Sequence, residues 1–149
     1  MSLLPRSLRC AILAALLAGT GIARAEPDLS APEAAAAVAA GKVTLIDIRT
    51  PPEWKETGVA KGAQLLDMNH PQGAPGFTKA LLEKLGGNKD APVALICRTG
   101  NRTTMVQRYL QSQGFTNVIN VKEGMAGSGA GPGWLKRGLP VETCATLKC

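Results

Sequence analysis

The sequence predicts an α/β domain in which helices cover both faces of a mainly parallel sheet. Two observations support this fold class. Val93–Ile96 is a continuous apolar run behind Pro92, the pattern of a strand that is buried on both faces. From Thr103 onwards, apolar residues recur with the spacing of one helical face. Strands and helical segments of these kinds alternate along the chain, which favours parallel strands joined by helices.

The first 25 residues have the organisation of a secretory signal peptide. Two early arginines precede a short apolar run over residues 10–18, and a small-x-small cleavage pattern ends at Ala25. The apolar run is too short to span a membrane. We therefore expect a signal peptide over residues 1–25. We also expect a single domain over residues 26–149 that is exported to the periplasm or secreted and has no membrane span.

The positive charge of the sequence lies mostly in this first segment. The whole chain has a formal net charge of +6. Residues 1–25 hold three arginines and no acidic residue, so removing them lowers the net charge from +6 to +3. A net charge of +3 with no run of consecutive basic residues does not favour nucleic-acid binding. We expect no nucleic-acid partner.

Helix-capping residues, prolines and glycines define the ends of the predicted helices and strands. Ser30 and Glu33 have capping-box spacing, which predicts a helix over the alanine-rich stretch that stops at Gly41. Pro51 and Pro52 predict the start of a short helix. The other predicted segments, in order, are a tail at 26–30, a strand at 43–48, a turn at 58–62, a short strand at 63–68, a loop at 69–76, a helix from 77 that closes at 86–87, a helix from 103 that ends at 114, a strand at 117–121, a glycine-rich loop at 122–133, and a turn at 138–141 before a polar tail.

Cys97 stands at the end of the strand Val93–Ile96, in a short loop that leads to a helix. The first N–H groups of a helix have no partner within it, and with the helix dipole they stabilise an anion such as a thiolate. Gly100 allows successive N–H groups to turn inward. Arg98 and Arg102 add positive charge that suits an oxyanion. A buried structural cysteine needs neither the glycine nor the arginines, so the pattern predicts a reactive nucleophile.

Export would leave three cysteines in an oxidising compartment, namely Cys97, Cys144 and Cys149. Cys144 and Cys149 are close enough in sequence to form a disulfide. Spacing alone leaves two alternatives open: both stay free, or one of them resolves an oxidised Cys97. His70 is the only histidine and no Cys-x-x-Cys occurs, so we expect no metal and no cofactor.

Four segments, in order, resemble motifs of the rhodanese family. Residues 45–54, LIDIRTPPEW, resemble D-V-R-x-x-x-E-[YW], and residues 58–63, GVAKGA, resemble G-H-I-x-G-A. Residues 97–103, CRTGNRT, resemble the active-site loop C-x-x-G-x-R-[ST], and residues 133–141 resemble W-x-x-x-G-x-P-[VL]. The resemblance spans residues 30–141. It implies a rhodanese-like three-layer sandwich in a single domain with a short C-terminal tail.

The resemblance also implies a sulfurtransferase. Cys97 would take the outer sulfur of a small anionic donor such as thiosulfate, become a persulfide, and pass that sulfur to cyanide or a thiol. Asp47 and Arg49 would support the active-site loop from the neighbouring strand. The loop residues that would bind the donor and the persulfide are Arg98, Thr99, Gly100, Asn101, Arg102 and Thr103.

Two other functions stay open. A periplasmic persulfide carrier or redox partner would use the same loop without turning over small molecules. Cysteine phosphatases and arsenate reductases of the same superfamily are the less favoured alternative, because the spacing from Cys97 to Arg102 is one residue shorter than theirs and suits a sulfur atom better than a phosphate. The glycine-rich insertion at 124–133 departs from the family pattern at the rim of the site, so the acceptor is not specified.

Overall fold

The computed structural model describes residues 28–149. The predicted signal peptide at 1–25 lies outside the described residues. Within residues 28–149, no helix has both the length and the apolar character needed to cross a membrane.

The described residues form seven strands and six helices. The strands are β1 (Asp28–Leu29), β2 (Thr44–Asp47), β3 (Val59–Ala60), β4 (Gln64–Leu65), β5 (Val93–Ile96), β6 (Val118–Val121) and β7 (Val141–Glu142). The helices are α1 (Ala31–Ala39), α2 (Pro51–Thr57), α3 (Gly73–Lys84), α4 (Asn101–Ser112), α5 (Gly133–Lys136) and α6 (Cys144–Leu147).

Five strands form a parallel sheet in the order β1-β6-β5-β2-β4. β5 is the central strand, and all four of its residues are buried, as its continuous apolar run predicts. Because the strands are parallel, their carboxyl ends share one edge of the sheet. Cys97 follows β5 and Ile48 follows β2, so both lie at that edge. A separate antiparallel pair joins β3 to β7.

The sheet separates two apolar clusters. Successive residues of a strand point to opposite faces. Val93 and Leu95 pack in the cluster beneath α3 and α4, and Cys97 continues that set. Ala94 and Ile96 pack in the cluster beneath α1 and α5. The predicted α/β sandwich, with a parallel sheet between two helical layers, is confirmed.

The predicted starts of α1 and α2 are also confirmed. Ser30 caps α1, where its N–H donates to Glu33 Oε2 at 2.8 Å and its hydroxyl accepts from the Glu33 N–H at 3.5 Å. Thr50 caps α2, and its N–H donates to Glu53 Oε2 at 3.0 Å. Both helices carry proline in their first turn, where the missing N–H costs nothing.

Four predictions at the ends of elements were wrong. The tail at 26–30 ends in β1, and the turn at 58–62 contains β3. The loop at 69–76 is shorter than expected because α3 begins at Gly73, and the polar tail contains α6 and part of β7. The two-residue strands exist only through pairing with a partner distant in sequence, which no local pattern reveals.

The C-terminal cysteines form a disulfide between Cys144 and Cys149, with their Cα atoms 5.0 Å apart. Both pack against the cluster beneath α1 and α5, whereas Cys97 belongs to the cluster on the other face of the sheet. Of the three alternatives left open by the sequence, the structure therefore contains the disulfide. Cys97 is the free cysteine of residues 28–149.

Glu123 fixes the start of the glycine-rich loop to two helices. Its buried carboxylate accepts from the N–H of Ala31 at 3.3 Å and from the N–H of Gly133 at 2.9 Å, the first residues of α1 and α5. Arg137 Nε donates to the same carboxylate at 2.7 Å. The Arg137 hydrogen bond, with help from the two amides, holds the pKa of Glu123 below its ordinary value. The loop at 122–133 is thus anchored at both ends.

We expect Glu123→Ala to lower the free energy of unfolding by about 2–4 kcal/mol, because it leaves the buried N–H groups of Ala31 and Gly133 without an acceptor. Urea unfolding measures the change. Glu123→Gln keeps one carbonyl oxygen and should lose less. A loss below about 0.5 kcal/mol in the alanine variant would contradict this anchoring role.

Candidate active site

Cys97 lies in a short loop between the central strand β5 and α4. Its side chain is fully buried. The Gly100 N–H donates to Cys97 Sγ at 3.2 Å, and the Thr103 hydroxyl lies 3.5 Å from the same atom. Gly100 has a φ of 85°, the left-handed conformation, and stands at the N-cap of α4. The loop therefore presents one N–H and one hydroxyl to the sulfur.

Thr103 connects the thiol to a buried amide. Its Oγ1 lies 2.7 Å from Asn120 Oδ1 and 2.9 Å from the carbonyl oxygen of Gly100. Asn120 Nδ2 donates to Thr104 Oγ1 at 3.0 Å. The Thr103 hydroxyl has a single proton, so while it donates that proton in a hydrogen bond to one of these oxygens, its oxygen can still accept a hydrogen bond from the thiol of Cys97. This network fixes the position of the hydroxyl beside the sulfur.

The segment that follows β6 binds the first two carbonyl groups of the Cys97 loop. The Met125 N–H donates to the carbonyl oxygen of Cys97 at 2.9 Å, and the Ala126 N–H donates to that of Arg98 at 2.9 Å. These two bonds hold residues 122–126 against the loop. The first residues of the glycine-rich insertion therefore line one side of the site.

Two glycines allow this close approach. A Cβ at Gly100 would clash with the carbonyl oxygen of Lys122, and a Cβ at Gly124 would clash with that of Arg98. Both glycines also have a positive φ, of 85° and 66°. Any side chain at either position would push the two segments apart.

Arg102 forms a two-pronged ion pair with Glu53, which lies on α2. Arg102 Nη1 and Nη2 lie 2.9 and 2.5 Å from the two carboxylate oxygens. The hydrogen bond from Arg102, with that from Thr50, lowers the pKa of Glu53 from 4.5 to about 2. The same pair raises the pKa of Arg102. In this structure Arg102 therefore holds the loop to α2, with its guanidinium already paired.

Asp47 and Arg49 form a buried ion pair beneath α2, with Arg49 Nη2 2.7 Å from Asp47 Oδ2. Arg49 also donates to Thr57 Oγ1 and to the carbonyl oxygen of Gly58, each at 2.8 Å. The guanidinium thus binds the carboxyl end of α2, where a cation is favoured by the helix dipole. The pair sets the position of the helix that carries Glu53.

The remaining loop residues differ in exposure. Arg98 and Asn101 are exposed and Thr99 is half-buried. Within residues 28–149, Arg98 forms no ion pair and no side-chain hydrogen bond. The same part of the chain holds no group of three His, Cys, Asp or Glu side chains arranged to bind a metal ion.

The structure thus sorts the predicted site residues into three groups. Gly100 and Thr103 contact Cys97 Sγ, Arg102 binds Glu53, and Arg98 has no ion-pair partner within residues 28–149. Glu53 and Asn120 also belong to the site, although neither was predicted as a site residue. Each had a signal: Glu53 stands at the E of the first rhodanese motif, and Asn120 interrupts an apolar strand.

A family model of the rhodanese-like domain matches residues 30–129. The chain belongs to the rhodanese-like family. A sulfurtransferase from Allochromatium vinosum is 30% identical over 99 residues, covering 66% of this chain and 78% of that protein. The polysulfide-sulfur transferase homodimer of Wolinella succinogenes is 27% identical with a TM-score of 0.59, and 79% of each chain is covered. A rhodanese-like domain from an Anabaena protein has a TM-score of 0.61 at 21% identity, with 80% of each chain covered, and shows the fold.

These relatives support sulfur transfer as the general activity of the rhodanese-like domain described here. The parallel sheet and the position of the Cys97 loop at the carboxyl end of its central strand agree with that family.

Glu53→Gln should lower the free energy of unfolding near pH 7 by about 1.5–3 kcal/mol, because the bidentate bond from Arg102 loses its charged acceptor. The pKa of Glu53 is lower in the folded protein than in the unfolded chain, so its contribution is fully present above 4.5 and is lost as the pH falls towards 2. The stability difference between wild type and Glu53→Gln should therefore shrink as the pH falls through this window.

Urea unfolding near neutral pH and at about pH 3 tests this dependence. Glu83→Gln, an exposed substitution on α3, is the matched control and should change stability by less than about 0.5 kcal/mol at either pH. A difference for Glu53→Gln that stays constant with pH would show that the ion pair with Arg102 does not contribute.

Proposed function

We propose that this protein is an exported sulfurtransferase that moves a sulfane sulfur from a donor such as thiosulfate to cyanide or a thiol. The observation that carries the proposal is the placement of Cys97. Its Sγ lies at the carboxyl end of the central strand, beside the Gly100 N–H and the Thr103 hydroxyl, in a loop with the rhodanese motif. The predicted signal peptide at 1–25 supports export to the periplasm.

In the first step, the Cys97 thiolate attacks the outer sulfur of thiosulfate. The bond between the two thiosulfate sulfurs breaks, and sulfite leaves with its electron pair. The outer sulfur stays on Cys97 as a persulfide that carries one negative charge. The Gly100 N–H, which contacts Sγ, and the positive end of α4 stabilise that charge.

In the second step, the acceptor attacks the outer sulfur of the persulfide. The new bond forms to cyanide or to a thiolate, and the bond to Cys97 Sγ breaks. Cys97 leaves as a thiolate, so the loop returns to its starting state. Cyanide yields thiocyanate and a thiol yields a persulfide, with no external oxidant or reductant in either case.

Arg98 supplies the cation that binds the anionic end of the donor. It directly follows Cys97, is exposed, and forms no ion pair within residues 28–149. Arg102 is committed to Glu53, so its part is to hold the loop. The two arginines of the loop therefore have separate roles in this proposal.

One observation favours the alternative of a persulfide carrier. Cys97 has no solvent exposure, so a donor or acceptor reaches its sulfur only when the surrounding loop moves. A buried persulfide is protected from free nucleophiles and would persist until a partner opens the loop. Stable loading with thiosulfate and no turnover with cyanide or free thiols would support the carrier.

Cys97→Ser should abolish sulfur uptake while leaving the fold intact, because a hydroxyl replaces the nucleophilic sulfur. Intact mass spectrometry of mature protein, before and after thiosulfate, measures the uptake. Wild type should gain the mass of one sulfur atom and lose it on addition of cyanide. No gain in wild type, or an equal gain in the serine variant, would reject the Cys97 persulfide; aryl phosphate hydrolysis would then point to a phosphatase.

Arg98→Ala should raise the KM for thiosulfate by about tenfold to a hundredfold, the effect of losing a charged hydrogen bond to the donor. Steady-state thiocyanate formation measures it. Arg108→Ala removes an exposed arginine of α4 and serves as the control for net charge. Equal effects of the two substitutions would mean that Arg98 acts only through long-range electrostatics.

A further inference from the structure

The Cys97 loop contains two arginines, and the fold neutralises one of them. Residues 97–103 include Arg98 and Arg102 and no acidic residue. Both carboxylate oxygens of Glu53 bind Arg102, at 2.9 and 2.5 Å. Arg98 forms no ion pair within residues 28–149. The two arginines and Glu53 therefore have a combined charge of +1, whereas the loop alone would have +2.

Glu53 is held both in its charged form and in its position. The hydrogen bond from Arg102 is the main cause that lowers the pKa of Glu53 to about 2, so the carboxylate is ionised at neutral pH. The N–H and the hydroxyl of Thr50 also donate to Glu53 Oε2, each at 3.0 Å. A carboxylate that is bound from two sides turns away from Arg102 only by breaking charged hydrogen bonds, which are the stronger kind. The pair with Arg102 is therefore a fixed feature of the site.

This ion pair lies within electrostatic range of the reactive sulfur. Arg102 directly precedes Thr103, whose hydroxyl is 3.5 Å from Cys97 Sγ. Ile48, three residues before α2, donates its N–H to the residue before Cys97 at 3.0 Å, which places the start of that helix beside the loop. The Glu53 hydrogen bond is the main cause of the raised pKa of Arg102, and negative charge on Cys97 is a further cause. Charge on a donor that reacts with Cys97 acts on the same pair.

The number of negative charges on a donor decides how well it suits this arrangement. A donor with one charge can bind Arg98 and leave the Glu53 pair intact. A donor with two charges brings the second one towards a carboxylate whose only cation, Arg102, is already paired. Cys97 is fully buried, so water screens this repulsion less than it does at an open surface. Glu53 therefore disfavours a dianion more than a monoanion.

We propose that Glu53 is a specificity-determining residue that selects the sulfur donor by its charge. By neutralising Arg102, it favours donors with one negative charge, such as an organic persulfide or a thiosulfonate, over dianions such as thiosulfate. This inference rests on the proposed function, in which Cys97 takes sulfane sulfur from a donor. It gives Glu53 an effect on substrate choice in addition to holding the loop to α2.

The uptake step is balanced for each class of donor. The Cys97 thiolate attacks the outer sulfur, a bond forms between that sulfur and Sγ, and the bond from the outer sulfur to the rest of the donor breaks. The leaving group keeps the electron pair. It is sulfite from thiosulfate, a sulfinate from a thiosulfonate, and a thiolate from an organic persulfide. No oxidant or reductant takes part, so the donors can be compared directly.

Thiosulfate and methanethiosulfonate are a matched pair of donors for the test. Methanethiosulfonate has a methyl group in place of one charged oxygen of thiosulfate, so it offers the same outer sulfur with one negative charge fewer. Intact mass spectrometry at low donor concentration follows the rate of sulfur uptake by Cys97 from each donor. The measured quantity is the rate with thiosulfate divided by the rate with methanethiosulfonate. This ratio cancels any effect of a substitution on the loop that is common to both donors.

Glu53→Gln should raise this ratio by about threefold to tenfold, because Arg102 then has an unbalanced charge while the glutamine oxygen still accepts from Thr50. Arg102→Gln leaves the carboxylate without its cation and should lower the ratio. The double variant Glu53→Gln, Arg102→Gln removes both charges and should return the ratio to within about twofold of wild type. Glu56→Gln removes the same charge from an exposed position of α2 that has no ion pair within residues 28–149, and is the matched control.

Two results would overturn the proposal. The first is a ratio for Glu53→Gln that equals that of wild type or of Glu56→Gln, because Glu53 would then only hold the loop. The second is a double variant that keeps the low ratio of Arg102→Gln, because the guanidinium itself would then bind the second charge of thiosulfate in the wild-type protein.

Sulfate and methanesulfonate, the unreactive counterparts of the two donors, separate this inference from the proposed function. In calorimetric titrations of unloaded protein, Glu53→Gln should strengthen sulfate binding by about threefold to tenfold relative to methanesulfonate binding. If neither donor transfers sulfur to wild type and this shift appears, the proposed function fails and selection by charge stands. If the relative binding is the same in both proteins, or neither anion binds the variant, the inference about Glu53 fails, even where Cys97 takes up sulfur.

Discussion

Direct contact between two backbone segments determines the shape of the active site. Residues 97–100 and 122–126 meet with no side chain between them, because Gly100 and Gly124 have no Cβ to hold them apart. The carbonyl groups of Cys97 and Arg98 are bound by this contact. In a trans peptide the N–H points opposite to the carbonyl, so the following N–H groups point away from residues 122–126. The contact therefore also fixes the direction of the N–H groups of Arg98 and Thr99.

Arg49, Arg98 and Arg102, the arginines around the site, differ in their binding partners. Arg49 binds Asp47 and the carboxyl end of α2, and this places the helix. Glu53, on that helix, then binds Arg102 of the Cys97 loop. Together, the two ion pairs connect the end of β2 to α2, and α2 to the Cys97 loop. Arg98 has no such partner within residues 28–149, so the fold does not use its charge.

Much of this fold follows from local sequence. The buried run of β5, the capping box at Ser30, the prolines at 51 and 52, and Gly100 each act within a few residues of themselves. The motif order then identified the family and placed Cys97 at the carboxyl edge of the sheet. Those parts of the structure agree with what periodicity and capping rules predict.

The rest depends on contacts between distant parts of the chain. The pairing of β3 with β7, and of Arg102 with Glu53, joins residues far apart in sequence, and nothing near either partner specifies the other. Glu53 shows the difficulty well. Its spacing from Thr50 is fully explained by a capping box, and the same carboxylate also accepts from Arg102. Because the capping box already accounts for Glu53, the sequence gives no sign of its ion pair with Arg102.

The position of the disulfide has a consequence for the chemistry of Cys97. Val93, Leu95 and Cys97 share one face of the sheet, while Cys144 and Cys149 pack on the other. The sheet lies between them, so neither C-terminal cysteine can attack a persulfide on Cys97 in this fold. An enzyme that held a resolving cysteine could release its sulfur within the chain. In the proposed reaction, the second nucleophile therefore has to come from outside residues 28–149.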